Sequence, residues 1–178
     1  FDTKEIDVIL SRPISRHGLM FAYWLGFSFV SLLLVVPVVG IMAWLGANEW
    51  AGFAGWSASL LLEAFLVVAL ALFSAFTMRS AVASVLARMG FYVVSRMMAF
   101  FVFTAHSAMF NEAKYFLLKH TLIVISTIVP RLDLFAKSQW LIYGFDTNQE
   151  WLVFVAQTAI FVPLLLFAAM IDFKRKQF

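Results

Sequence analysis

Between Leu19 and Leu45 the sequence contains no Asp, Glu, Lys, Arg or His. That is longer than the roughly 20 apolar residues needed to cross a bilayer. Similar stretches run from Phe53 to Met78, with Glu63 as the single charge, and from Trp151 to Ile171, with none. Together they fix the solvent. The chain is 63% hydrophobic and 13% charged, against about 25% charge in a soluble domain. It could not cover its own surface with polar groups, so lipid must surround it. In lipid every backbone N–H and C=O needs an internal partner, which leaves helices or closed barrels. Barrel strands give alternating segments of about 10 residues. The continuous runs here predict an all-α, polytopic membrane helix bundle.

Four spans are expected, at 19–45, 53–78, 81–105 and 151–171, in a single transmembrane domain. The third is less clean, because it carries Arg88 and Arg96. Pro37 and Pro163 fall inside the first and last spans, where proline predicts a kink. Asn48, Glu49 and Trp50 form a tight polar turn, and Arg79-Ser80 marks the next one. Residues 107–150 are mixed and are expected to be an outer-side loop. Tyr115 to Val129 is short for a span and is interrupted by Lys119-His120-Thr121, so it reads as an interfacial or partly inserted helix. Pro130-Arg131-Leu132-Asp133 should end that helix and turn the chain. Trp44, Trp50 and Trp56 predict one interfacial belt, and Trp140, Tyr143 and Trp151 a second.

Lys and Arg set the orientation. Arg12 and Arg16 precede the first span, Arg79 and Arg88 sit at the second turn, and Lys174, Arg175 and Lys176 follow the last span. The turn at 48–50 has none. Both ends are therefore expected in the cytoplasm, which requires an even number of spans. Lys114, Lys119, Arg131 and Lys137, on the outer side in this arrangement, run against the rule. The net charge of +3 and isoelectric point of about 9.4 are read as this loop charge, not as a nucleic-acid surface.

No catalytic constellation stands out. There is no cysteine, hence no disulfide framework or thiolate site. His17, His106 and His120 are scattered, without the paired helical spacing of a metal or haem site, so no metal and no cofactor is expected. Nucleophile elbow, HExxH and glycine-rich phosphate loop are all missing. The distinctive residues are Glu63 and Arg96. An arginine at a helix centre costs about 2.5–3.5 kcal/mol on insertion scales and should face protein or water. Either the two pair inside the bundle, lining a path or locking a conformation, or the third span sits shallowly and Arg88 and Arg96 snorkel to the interface.

The segment before the first span has its own character. Asp2, Glu5 and Asp7 outnumber Lys4, so anionic headgroups would repel it, and a protein contact explains it better than a lipid surface does. Lys4 to Arg16, and above all Leu10-Ser11-Arg12-Pro13-Ile14-Ser15-Arg16, resembles the LSRPxSR signature of type-2 ATP-binding-cassette (ABC) permeases, where a cytoplasmic coupling helix leads into a span. Ile128 to Phe135 is similar to a segment many of them place before the last span. The ending Phe173-Lys174-Arg175-Lys176-Gln177-Phe178 resembles their basic C-terminus.

The resemblance spans the chain as the C-terminal two-thirds of a permease and implies two further spans before Phe1. It implies an exporter half in a bacterial inner membrane, paired with a second permease subunit in a homo- or heterodimer. ATP would be hydrolysed on a separate ATPase subunit, with residues 1–16 as the coupling segment and Glu5, Asp7, Arg12, Pro13 and Arg16 as its contact residues. The arginine-bearing third span departs from the family pattern. The rival from another class is a non-transporting membrane anchor of a larger complex, such as a respiratory enzyme.

Overall fold

The computed structural model describes residues 16–45, 49–106, 116–144 and 150–175. All regular structure among them is helical. In chain order the elements are α1 (Arg16–Trp44), α2 (Trp50–Thr77), α3 (Ala81–Arg96), α4 (Met98–His106), α5 (Phe116–Ile128), a 3-10 turn (Leu132–Leu134), α6 (Trp140–Tyr143) and α7 (Glu150–Arg175). Residues 1–15 and the side chain of Arg16 lie outside this description. So the expected coupling segment, with Glu5, Asp7, Arg12 and Pro13, has no structural account here.

α1, α2 and α7 are each long and apolar enough to cross a membrane. They match the first, second and fourth expected spans. Pro37 and Pro163 interrupt neither α1 nor α7. The third expected span is broken. α3 and α4 meet at Met97 with a bend of 44°, and only together are they long enough to cross. The described chain thus holds three candidate spans, or four if the bent pair counts as one.

α2 is the hub. It packs along α7 and also touches α1, α3 and α6. Leu66 and Ala69 on it are fully buried, and Phe154, Leu165 and Leu166 of α7 close over the same core. At one end Phe173 meets Phe76 edge-on, with ring centres 5.3 Å apart. There the Thr77 hydroxyl donates to Asp172 at 2.7 Å. α1 is different. Of its described side chains only Met20 and Ser28 are buried, while Phe29 and Leu34 are 63% and 69% exposed. Apolar exposure on that scale needs lipid or another protein against it.

Residues 130–144 are buried in part: Ser138, Gln139, Ile142 and Tyr143 stay exposed, but other side chains of the segment enter the core. Leu132 and Phe135 are fully buried and Trp140 nearly so, against α2 and α7. Irregular backbone is tolerated at membrane depth only where protein buries it and meets its polar groups. Both happen here. The belts shift accordingly. Trp44, Trp50 and Tyr143 are outward-facing, whereas Trp56 and Trp140 are core residues.

The span count is open to a direct test. The chain has no cysteine, so single-cysteine variants have no labelling background. With four crossings, cysteines at Asn48 and Asp146 react with an impermeant maleimide from outside, and cysteines at Arg79 and Gln177 do not. Outside labelling at Gln177 means three crossings and ends on opposite faces.

Candidate functional site

A polar cluster sits where α2, α3 and the 130–136 segment meet. α2 contributes Ser59 and Glu63, one helical turn apart and therefore on one face. α3 contributes Tyr92 and Arg96, also four residues apart. The Ser84 hydroxyl of α3 donates to the Ser74 hydroxyl of α2 at 3.1 Å, which fixes the antiparallel register of the two helices. Counting along that register brings Arg96 level with Glu63.

The Glu63 carboxylate is enclosed, with 8% of its side chain exposed against 39% for Arg96. Arg96 Nη1 lies 3.3 Å from both Glu63 Oε1 and Oε2. The Tyr92 hydroxyl donates to Oε1 at 3.1 Å. Nη1 also donates to the Leu132 carbonyl at 2.7 Å and to the Phe135 carbonyl at 3.2 Å. A tight charge-assisted bond measures about 2.7–2.9 Å. By that standard the closest partner is a backbone carbonyl, and the carboxylate is held more loosely. One nitrogen with two hydrogens is shared among four acceptors.

Arg96 therefore does two things. It places a positive charge beside a buried carboxylate. It also donates to the Phe135 carbonyl, since a carbonyl left unpaired in an apolar interior costs about 1–3 kcal/mol, and adds a second donor to the Leu132 carbonyl, which already accepts from the Phe135 N–H. The guanidinium is turned toward protein, and Glu63 and Arg96 are in contact, as the pairing alternative expects. It does so from the last residue of α3, at the elbow of the bent pair. No proline or glycine lies at that elbow. The bend falls at the residue whose side chain is tied on the inner side.

The reversed segment has other ties. Ala136 has φ 45°, left-handed for a residue with a Cβ, which costs on the order of 1–3 kcal/mol unless the surroundings hold it. Its N–H donates to the buried Ser59 hydroxyl at 3.0 Å, which itself donates to the Trp56 carbonyl at 2.9 Å. The Arg131 N–H donates to Gln157 of α7 at 3.1 Å, and the Arg131 side chain pairs with Asp133 at 2.9 Å. Tyr92, Ser59 and Gln157 escape a reading of the sequence. Each is an ordinary span residue until its partner is known, although the spacings Ser59/Glu63 and Tyr92/Arg96 are visible once Glu63 and Arg96 are paired.

Arg88, the other arginine of the third span, does not join this cluster. It lines an apolar groove between α1 and α3, floored by α2. His106 and His120 engage backbone carbonyls one turn back in their own helices, Val102 at 2.9 Å and Phe116 at 3.1 Å. Among the described residues no group of three His, Asp or Glu side chains could hold a metal.

Comparison with protein families, with characterised proteins and with solved structures finds no match to this chain.

Proposed function

We propose that this chain is the transmembrane permease subunit of an ABC transporter. In this reading it is an exporter half in a bacterial inner membrane, paired with a second permease subunit and driven by ATP hydrolysis on a partner ATPase. The observation that carries the reading is the Glu63–Tyr92–Arg96 cluster at the elbow of a bent span. Ionisable residues inside membrane helices are costly and mark paths or conformational elements more often than passive packing. A structural anchor could meet the same carbonyls with a neutral donor, so the charge of Arg96 favours the transport reading. The permease-like stretches at 4–16, 128–135 and 173–178 support the same reading by their order along the chain.

The packing of α1 on α2 supports a mechanism for this reading. Residues 1–16 would receive the motion of the ATPase, and Pro13 would fix the angle between that segment and α1, since a stiff joint transmits a displacement that a flexible one absorbs. α1 rests on α2. α2 carries Glu63, so a shift of α2 strains the Glu63–Arg96 contact and with it the elbow. A loose ion pair backed by two carbonyls suits such a part, because Arg96 keeps partners when the carboxylate moves away.

The test is purification of the tagged chain from native membranes. An ATPase subunit should co-purify in stoichiometric amount, and Glu5→Arg, which reverses the charge of the contact segment, should reduce its recovery several-fold. If no ATPase accompanies the chain and a non-transport complex does, the anchor reading replaces this one.

A further inference from the structure

α1 and α3 both pack on α2 without packing closely on each other. The gap between them is a groove of about 340 Å³, within the range of about 300–1,000 Å³ typical of ligand sites. Its floor is α2, where Ala71 and Ala75 leave room between larger residues. Its α1 wall is apolar and aromatic, including Tyr23, Phe27 and Leu34, and Tyr23 meets Phe76 of the floor at a ring distance of 6.4 Å. From α3 a single residue reaches it, Arg88.

An arginine lining an apolar groove between membrane helices needs an anion or water. Ser84 and Tyr92, one turn to either side of Arg88 on α3, are engaged with Ser74 and Glu63. Among the described residues no carboxylate forms an ion pair with Arg88: Glu63 is taken by Arg96, Asp133 by Arg131, and Asp172 accepts from Thr77. No described side chain supplies a counter-charge, which leaves Arg88 open to an anion from outside. Arg88 lies eight residues into α3 from the turn at 79–80, about 12 Å at 1.5 Å per residue. Its long side chain can reach from there back toward headgroup depth. The groove itself continues along α1 from Tyr23 to Leu34, away from the end of the bundle that holds the 79–80 turn. A cation near the headgroups and an apolar channel leading inward are the two halves of a phospholipid site.

We infer that the groove between α1 and α3 holds one phospholipid of net negative charge, with its phosphate on Arg88 at the level of Ala75 and an acyl chain running past Ala71 toward Val67. The occupant is a bound lipid and not cargo, and the inference stands whether or not the chain transports anything. One lysine or arginine near an anionic membrane surface is worth about fivefold in affinity, so the expected preference for an anionic over a zwitterionic lipid is of that size.

Native mass spectrometry of the detergent-purified chain, titrated with dioleoylphosphatidylglycerol or dioleoylphosphatidylcholine, reads it directly. The parent chain should retain one phosphatidylglycerol about fivefold better than phosphatidylcholine. Arg88→Lys should keep the preference, and Arg88→Gln should bring phosphatidylglycerol down to the phosphatidylcholine level. Ala75→Phe, which fills the groove from an exposed position, should reduce both. Equal retention of the two lipids by the parent overturns the proposal, and so does an Arg88→Gln or Ala75→Phe chain that binds phosphatidylglycerol like the parent. If Arg88→Gln does not fold, the parent, Arg88→Lys and Ala75→Phe still decide it.

Discussion

Replacing Arg96 by Gln is expected to destabilise the chain by about 3 kcal/mol, and replacing Glu63 by Gln by only about 1 kcal/mol. The difference comes from what each change leaves behind. Without Arg96 the Glu63 carboxylate, 8% exposed, keeps only the Tyr92 hydroxyl, and the Leu132 and Phe135 carbonyls lose a donor. Removing one partner of a buried ion pair typically costs about 3–5 kcal/mol. The lower end applies because the Arg96 side chain is 39% exposed and the contact is a long 3.3 Å. Without the Glu63 charge, Arg96 still donates to both carbonyls and a neutral amide can take the place of the carboxylate. The remaining loss is closer to that of one interhelical hydrogen bond, about 1–2 kcal/mol.

The double change should cost less than the sum of the two, because it removes the stranded charge that makes Arg96→Gln severe. Unfolding of the four proteins in mixed micelles with increasing dodecyl sulfate gives the cycle. Additive losses, or a Glu63→Gln change as costly as Arg96→Gln, would show that the pair does not organise this site. Under the permease reading both single variants also impair transport.

Parts of this arrangement were legible in the sequence. The three uninterrupted helices follow from continuous apolar runs, because in lipid an apolar segment of that length has few other ways to satisfy its backbone. Glu63 and Arg96 stand out because charge is so rare in those runs, and pairing them was one of two readings. The break at Met97 was not legible. Nothing between Ser95 and Ala99 is a helix breaker, Arg96 included, and the bend coincides with a side chain tied to residues 36 and 39 positions away. Nor was the burial of 130–144 legible. Its buried apolar residues, Leu132, Phe135 and Trp140, follow neither a 3.6-residue nor a 2-residue period. They pack through an irregular turn whose left-handed Ala136 is held by Ser59, 77 residues away. Local pattern carries no trace of such a tie. The same holds for Trp56 and Trp140, which composition places in belts and the structure places in the core.

That burial depends on one glycine, and changing it is the second large effect expected. α6 crosses α2 at Gly52 so closely that a Cβ there would collide with the Trp140 carbonyl oxygen, and would stand 3.0 Å from the Trp140 carbonyl carbon and 3.1 Å from Gly144 Cα. All three are backbone atoms, so no rotamer change relieves the contact, and α6 must move. Small residues at helix crossings let backbones approach in just this way in membranes. Moving α6 carries Trp140 with it and opens its packing on Phe154, where the ring centres are 5.9 Å apart. Overpacking a tight contact costs about 1–3 kcal/mol, and a backbone clash belongs at the upper end. Gly52→Ala is therefore expected to lower stability by about 2–3 kcal/mol and to weaken the near-ultraviolet circular dichroism of the buried tryptophans. Gly90→Ala is the matched control. A Cβ at Gly90 has no other atom within 4 Å, and in a helix interior alanine is favoured over glycine by up to about 1 kcal/mol. The same chemical change should thus be harmful at 52 and neutral or stabilising at 90. If Gly52→Ala melts like the parent, α6 does not sit against α2, and the carbonyls of the 130–136 segment lose their claim to hold Arg96.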